Sequence, residues 1–236
     1  MYMKKIIILF IAFCILLVGC SGSQADSNED TTPADDKNSV VVTEDAVAAE
    51  PAEDARTVTP LPDTTMENLT DAILSVSLGA GNTYVDEDGH TQMELKIYTY
   101  DQYDMVDIAS LKVGDTVVRH FGEVKVIAKE QDETGTIYIN GGLDNGGFNL
   151  VTDDSGTYYE MGYNDAKSWY QVGEATLRVS DDFKGTDCAD PEQGEVMIHS
   201  EDFLTGAVTN YDFTPYNTTI RVEDGQIVEL NRVFTP

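Results

Sequence analysis

The sequence predicts an all-β fold: an antiparallel meander forming a small barrel or sandwich, with minimal helix. Three observations carry this. Apolar residues alternate with polar ones along most of the C-terminal 170 residues. Glycine and Asn/Asp turns interrupt the alternation at short intervals. No stretch of that region keeps a helical period for long.

The elements follow in order. Leu74, Val76 and Leu78 alternate with Ser75 and Ser77 and read as a first strand. Before them, Thr64-Thr65-Met66-Glu67 has the spacing of a capping box, with Leu69 and Ile73 below it, so one helical turn is the competing reading there. Met93, Leu95 and Ile97 alternate with Gln92, Glu94, Lys96 and Tyr98. Short turns are expected over 105–111 and 200–208. Ile137 and Ile139, Phe148 and Leu150, then Tyr159, Met161 and Tyr163 make 136–163 a three-stranded meander, joined at Asp144-Asn145-Gly146-Gly147 and Asp153-Asp154-Ser155-Gly156. Leu177 and Val179 enclose Arg178. Ile220 and Val222 open a closing hairpin over 217–234, turned at Asp224-Gly225. Leu111-Lys112-Val113-Gly114-Asp115-Thr116-Val117 resembles the strand entry of SH3-like and OB-like barrels. The resemblance implies a leucine plugging the barrel end and a Gly-Asp turn.

Two further regions precede this one. Residues 1–20 hold Lys4 and Lys5, an apolar run from Ile6 to Leu17, and Leu17-Val18-Gly19-Cys20. The run is too short for a membrane span and suits a secretory leader. Leu17 to Cys20 resembles the lipobox of bacterial lipoproteins. That resemblance implies thioether lipidation of Cys20, cleavage before it, and anchoring by several acyl chains, since one chain binds a membrane only marginally. The expected location is the outer face of the cell membrane, with the membrane itself as the first partner. Cys14 leaves with the leader, so Cys188 has no partner for an intramolecular disulfide.

Residues 21–65 lack Phe, Tyr and Trp and hold four of the seven prolines. Eleven acidic residues face Lys37 and Arg56 alone. Such a segment buries too little apolar surface to offset its ordering entropy, and reads as a disordered acidic tether. The folded domain is then expected over 66–236. The pattern as a whole resembles β-rich surface lipoproteins of Gram-positive gut-type bacteria.

The chain carries 14 Lys and Arg against 43 Asp and Glu, a formal net charge of −29. Nucleic acid is therefore excluded as a partner, because no Lys/Arg cluster exists to hold phosphate. The acid keeps an exposed β-protein soluble and discourages edge pairing. No cofactor is expected. The region best suited to a hard cation such as Ca²⁺ is the presumed loop 181–192, with Asp181, Asp182, Asp187, Asp190 and Glu192 as oxygen donors.

Catalytic patterns are sparse. The three histidines, His90, His120 and His199, lie far apart. His-Glu-x-x-His, Gly-x-Ser-x-Gly, P-loop and Gly-x-Gly-x-x-Gly patterns do not occur. Cys188, His120 and Arg221 supply the residue types of a sortase. Yet Cys188 lacks the Thr-Leu-x-Thr-Cys context, and the neighbouring carboxylates raise rather than lower a thiol pKa. A glycosidase using two carboxylates remains open. Tyr98, Tyr100, Trp169 and Tyr170 are the rings whose polar neighbours suit a carbohydrate or protein ligand; the plainer reading buries Trp169 with the tyrosines at its edge. The sequence thus predicts a membrane-anchored cell-surface lipoprotein with a non-catalytic binding or structural module. The alternative is a β-rich envelope enzyme acting on cell wall or glycan.

Overall fold

The computed structural model describes residues 54–235. The expected leader with Cys20, and the expected tether up to residue 53, lie outside them. The expected fold class holds: strands dominate, and the two α-helices span only five and six residues.

In chain order the first half comprises β1 (Thr57–Val58), β2 (Ala72–Ser77), β3 (Thr83–Val85), β4 (Thr91–Thr99), β5 (Gln102–Tyr103), α1 (Met105–Ala109), β6 (Thr116–Val117) and β7 (Val124–Lys125). There follow β8 (Lys129–Gln131), β9 (Ile137–Ile139), β10 (Phe148–Thr152), β11 (Tyr158–Met161), β12 (Tyr170–Asp187), β13 (Val196–Ile198), α2 (Ser200–Thr205), β14 (Thr218–Glu223) and β15 (Gln226–Arg232).

Five of these strands close a ring. β2 pairs antiparallel with β4, β4 with β12, β15 with β14, and β14 with β2. The ring is completed by β12 and β15, which run parallel. Numbered by sequence within the ring, the order is 1-2-3-5-4-1, with α2 between the third and fourth strands. This is the connectivity of an OB-like Greek-key barrel, a closed form that leaves its own strands no free edge. β12 makes closure possible. Its first half pairs with β4 and its second with β15, and the register shifts between Val179 and Lys184. The predicted alternation places Met93, Leu95 and Ile97 inside, against Leu74, Val76, Ile220, Ile227 and Leu230. Phe203 of α2 and Phe213 meet at 5.8 Å between ring centroids and belong to the same core. Asp224 and Gly225 both take positive φ in the expected hairpin turn.

Between β4 and β12 the chain leaves the barrel and builds a second core. β9, β10 and β11 form the predicted meander, extended by β5 and β8 into a five-stranded sheet. β6 and β7 form a hairpin beside it. Ile108, Leu111, Val117, Ile139, Phe148 and Leu150 fill this core. Leu111 is buried in this second core rather than at the end of the closed barrel, and Gly114 turns with φ of +100°. A Cβ on Gly147 would lie 1.8 Å from the Ile139 carbonyl oxygen, so only glycine lets this hairpin close.

Two expectations are corrected. The tether does not reach residue 65: β1 pairs parallel with β6, and Val58 is 2% exposed within the second core. Composition hid this because a two-residue strand completing another segment's sheet has no period of its own. The capping-box reading fails too. Thr64–Glu67 makes only a turn, with the Glu67 amide donating to the Thr64 carbonyl, and Ile73 stands 74% exposed on β2 opposite Arg221.

Candidate functional site

The barrel and the inserted module meet where the chain crosses twice. Tyr100 follows the end of β4 on the way out, and Trp169 precedes β12 on the way back. Because Tyr170 is in register with Thr99, the two crossings lie side by side. Tyr100 and Trp169 consequently meet edge to face at 4.9 Å, and Tyr159 of β11 meets Tyr100 at 5.7 Å. The Lys167 ammonium lies among these rings, 3.9 Å from the Tyr100 centroid, 5.2 Å from that of Tyr159 and 5.8 Å from that of Trp169. It donates to the Tyr100 hydroxyl at 2.6 Å.

Tyr170 anchors the neighbouring turn. Its ring stacks on His120 at 3.7 Å with an interplanar angle of 3°, and its hydroxyl donates to Asp101 Oδ1 at 3.0 Å. The His120 amide donates to the other oxygen of Asp101 at 2.6 Å. Burial, and then the bond to Asp101, push the Tyr170 phenol far above its usual range, so it stays protonated. On the other side of His120, Arg119 grips the buried Glu160 with both Nε and Nη2; the Nε bond is 2.6 Å. The β6–β7 turn is thus clamped at two consecutive residues, and its tip residue Phe121 projects into solvent at a fixed place.

Phe121 forms one wall of an open groove of about 720 Å³ at the junction, with Trp169 also lining it. Tyr163, 78% exposed, comes from the turn after β11, which is closed by the Gly162 amide donating to the Ala166 carbonyl. Tyr216 comes from the barrel side. Asn217 holds its turn by accepting from the Thr214 amide and donating to the Asp212 carbonyl, both at 2.9 Å. The exposed carboxylates of Asp165 and Asp212 also line the groove.

Of the four predicted rings, the structure brings Tyr100 and Trp169 into one cluster and sets Tyr170 beside it. Tyr98 stands apart on the outer face of β4, sharing a 3.2 Å hydrogen bond with Ser77. Phe121, Tyr216 and Lys167 were not foreseen, because turn residues carry no period, and Tyr163, expected on the third strand of the meander, lies instead in the turn after β11. An aromatic beside a turn glycine, as in Phe121-Gly122, is the signal that points to such a wall.

The calcium set over 181–192 is not assembled. Residues 181–187 are part of β12 rather than a loop, and successive strand residues diverge. Asp187 is held by the Arg232 guanidinium, and Asp190 accepts from the Glu192 amide and the Gln193 side chain. Asp181 and Glu192 are exposed, and Asp182 likewise. Among the described residues no three His, Cys, Asp or Glu side chains converge to hold a metal. The sortase-type residues are dispersed as well. His120 lies on the β6–β7 turn, Cys188 just after β12, and Arg221 on β14 bound to Glu229 and Glu223.

No protein family, curated protein or solved structure matches the chain.

Proposed function

We propose that this chain is a membrane-anchored surface lipoprotein whose two-core β domain binds a ligand, without catalysis, in the groove at the module junction. One observation carries the binding reading. Phe121, Tyr163, Trp169 and Tyr216, from three separate segments, converge on one open groove, and their places are fixed by hydrogen-bonded turns and clamped neighbours. An acid-rich surface that gathers exposed rings at one place matches how proteins present contact sites. The anchor reading rests on the Leu17–Cys20 lipobox; among the described residues no helix is long and apolar enough to cross a membrane.

The two buried carboxylates near the groove are not free for acid–base chemistry. Glu160 is engaged by Arg119 and by Ser168 Oγ, and Asp101 by His120 and Tyr170. A general acid or base needs a free lone pair or proton aimed at the substrate.

Trp169 is the chain's single tryptophan, so its emission reports on the groove alone. The test titrates the full chain, in nonionic detergent, with soluble cell-wall fragments and with mixed peptides. A saturable change in emission is expected, and Phe121→Ala combined with Tyr216→Ala should remove it while the far-UV signal persists. Turnover of the glycan or peptide into new products would restore the envelope-enzyme reading. Binding unaltered by the two ring substitutions would place the site elsewhere.

A further inference from the structure

Building on the groove as a binding site, we infer that its ligand is a basic peptide segment, with a lysine or arginine head entering among the exposed rings beside Asp165 and Asp212.

The junction already shows which chemistry its rings accept. Lys167 holds an alkylammonium within 6 Å of three aromatic centroids, with the Tyr100 hydroxyl as its hydrogen-bond partner. Ring faces attract such cations through their quadrupole. The groove, which Lys167 also lines, presents further ring surface at Phe121, Tyr163 and Tyr216, with no cation of the chain placed over those rings among the described residues.

The carboxylates complete the complementarity. Asp165 and Asp212 are exposed, and neither joins a salt bridge among the described residues. Three non-glycine residues of the described chain take positive φ: Asn140, Asp165 and Asp224. Asn140 earns its conformation locally, by accepting from the Ile127 and Ala128 amides and donating to the Lys125 carbonyl. Asp224 makes the β14–β15 turn. Asp165, at φ of +57°, lies likewise in the turn after β11, where glycine would fit the backbone at lower cost, and it lines the groove. At longer range a formal charge of −29 draws cations in and repels anionic glycans. The volume of about 720 Å³ exceeds what one ammonium head fills, so residues flanking the basic side chain are held against the rings as well. That favours a peptide over a small amine.

The experiment uses the full chain in nonionic detergent at about 0.15 M ionic strength, where the Debye length is about 8 Å. Trp169 emission is followed against three ten-residue peptides of equal length, bearing two Lys, two Gln or two Glu, and against a glucosamine oligomer. The Lys peptide alone should give a saturable change, weakened by added salt. Asp165→Asn with Asp212→Asn should lower its affinity about tenfold. Asp165→Gly should weaken binding while the melting midpoint stays level or rises, which a structural role for the carboxylate would not produce. An equal response to the Gln peptide, or unchanged affinity in the double Asn variant, overturns the charge assignment and leaves the groove standing. A response to the glucosamine oligomer without one to the Lys peptide overturns the peptide assignment. A Lys-peptide response that survives Phe121→Ala with Tyr216→Ala overturns the groove itself.

Discussion

Arg56 reaches Asp115 across 59 positions of sequence: its backbone amide donates to Oδ1 at 3.1 Å and its Nε to Oδ2 at 3.4 Å. The Asp115 side chain is wholly buried, and the Lys112 amide is its third donor, at 2.9 Å. The contact joins the residue before β1 to the turn that leads into β6. It also explains why the folded domain begins before residue 66.

The truncation that composition recommends is therefore harmful. A chain beginning at Met66 loses Val58 from the core and leaves Asp115 buried without its cation. Removing one partner of a buried pair costs about 3–5 kcal/mol. At roughly 2–4 °C per kcal/mol for a domain of this size, the midpoint should fall on the order of 10 °C relative to a chain beginning at Ser21. Equal midpoints for the two forms would show that β1 contributes nothing.

Asp115 also gives stability a pH signature. Burial disfavours its charge, but the bonds from Arg56 and Lys112 outweigh that and hold the carboxyl below its ordinary value of 3.8. Asp187 is lowered in the same way, burial being outweighed by Arg232. A depressed native pKa means the stabilisation is full above the unfolded value and disappears as pH falls through the native one. Urea unfolding of wild type and Asp115→Asn should thus differ most above about pH 5, and the gap should close as pH falls below 3.8 through the lowered native value. A gap that stays constant down to the acid limit would remove the carboxylate from this account.

Much of this fold was legible in local pattern, and the reason is specific. Met93, Leu95 and Ile97 alternate because β4 has one face in the barrel, and Asp224-Gly225 marks its hairpin because both residues need positive φ. The closing step was not legible. β12 and β15 pair parallel across distant sequence, and β12 trades one partner for another midway, so its burial follows no single period. The site was half legible for the same reason. Trp169 and Tyr100 stand out beside strands, whereas Phe121, Tyr163 and Tyr216 sit in turns and become neighbours only when two cores are juxtaposed.

Arg119 and Glu160 support both stability and the groove. Arg119→Met leaves Glu160 buried and unpaired, at a cost of about 3–5 kcal/mol. Pairing Arg119→Met with Glu160→Met should recover most of that, because a buried ion pair replaced by apolar groups is often neutral. The double variant nevertheless leaves the Phe121 turn held at His120 alone, so ligand affinity should stay low after stability returns. A double-mutant cycle in urea, combined with Trp169 titrations, separates the two effects. Full recovery of both would mean that the pair does not position Phe121.

Anchoring has its own test. Cys20 lies in the lipobox and takes the acyl chains in the proposed reading, so Cys20→Ala should leave the chain unlipidated and poorly processed. After a high-salt wash that strips electrostatic association, the variant should leave the membrane fraction. Retention equal to wild type would rule out the lipid anchor.

Calcium should act on this protein as a screening ion only. A ligand that binds the native state alone stabilises it by RT ln(1 + [L]/Kd), about 2.7 kcal/mol at a hundredfold excess over Kd, which is several degrees in midpoint at roughly 2–4 °C per kcal/mol. Oxygen donors must converge for that, and the acidic residues from Asp181 to Glu192 do not. Asp187 is bound to Arg232, Asp190 closes its own turn, and Asp181 lies 3.6 Å from Arg178 on β12. What remains is the mutual repulsion of a chain with a net charge of −29, already screened beyond about 8 Å at 0.15 M ionic strength. Melts at that fixed ionic strength should therefore show a small shift with millimolar calcium and the same shift with magnesium. A rise of several degrees with calcium alone, abolished by Asp187→Asn with Asp190→Asn, would mean that this segment rearranges into a metal site.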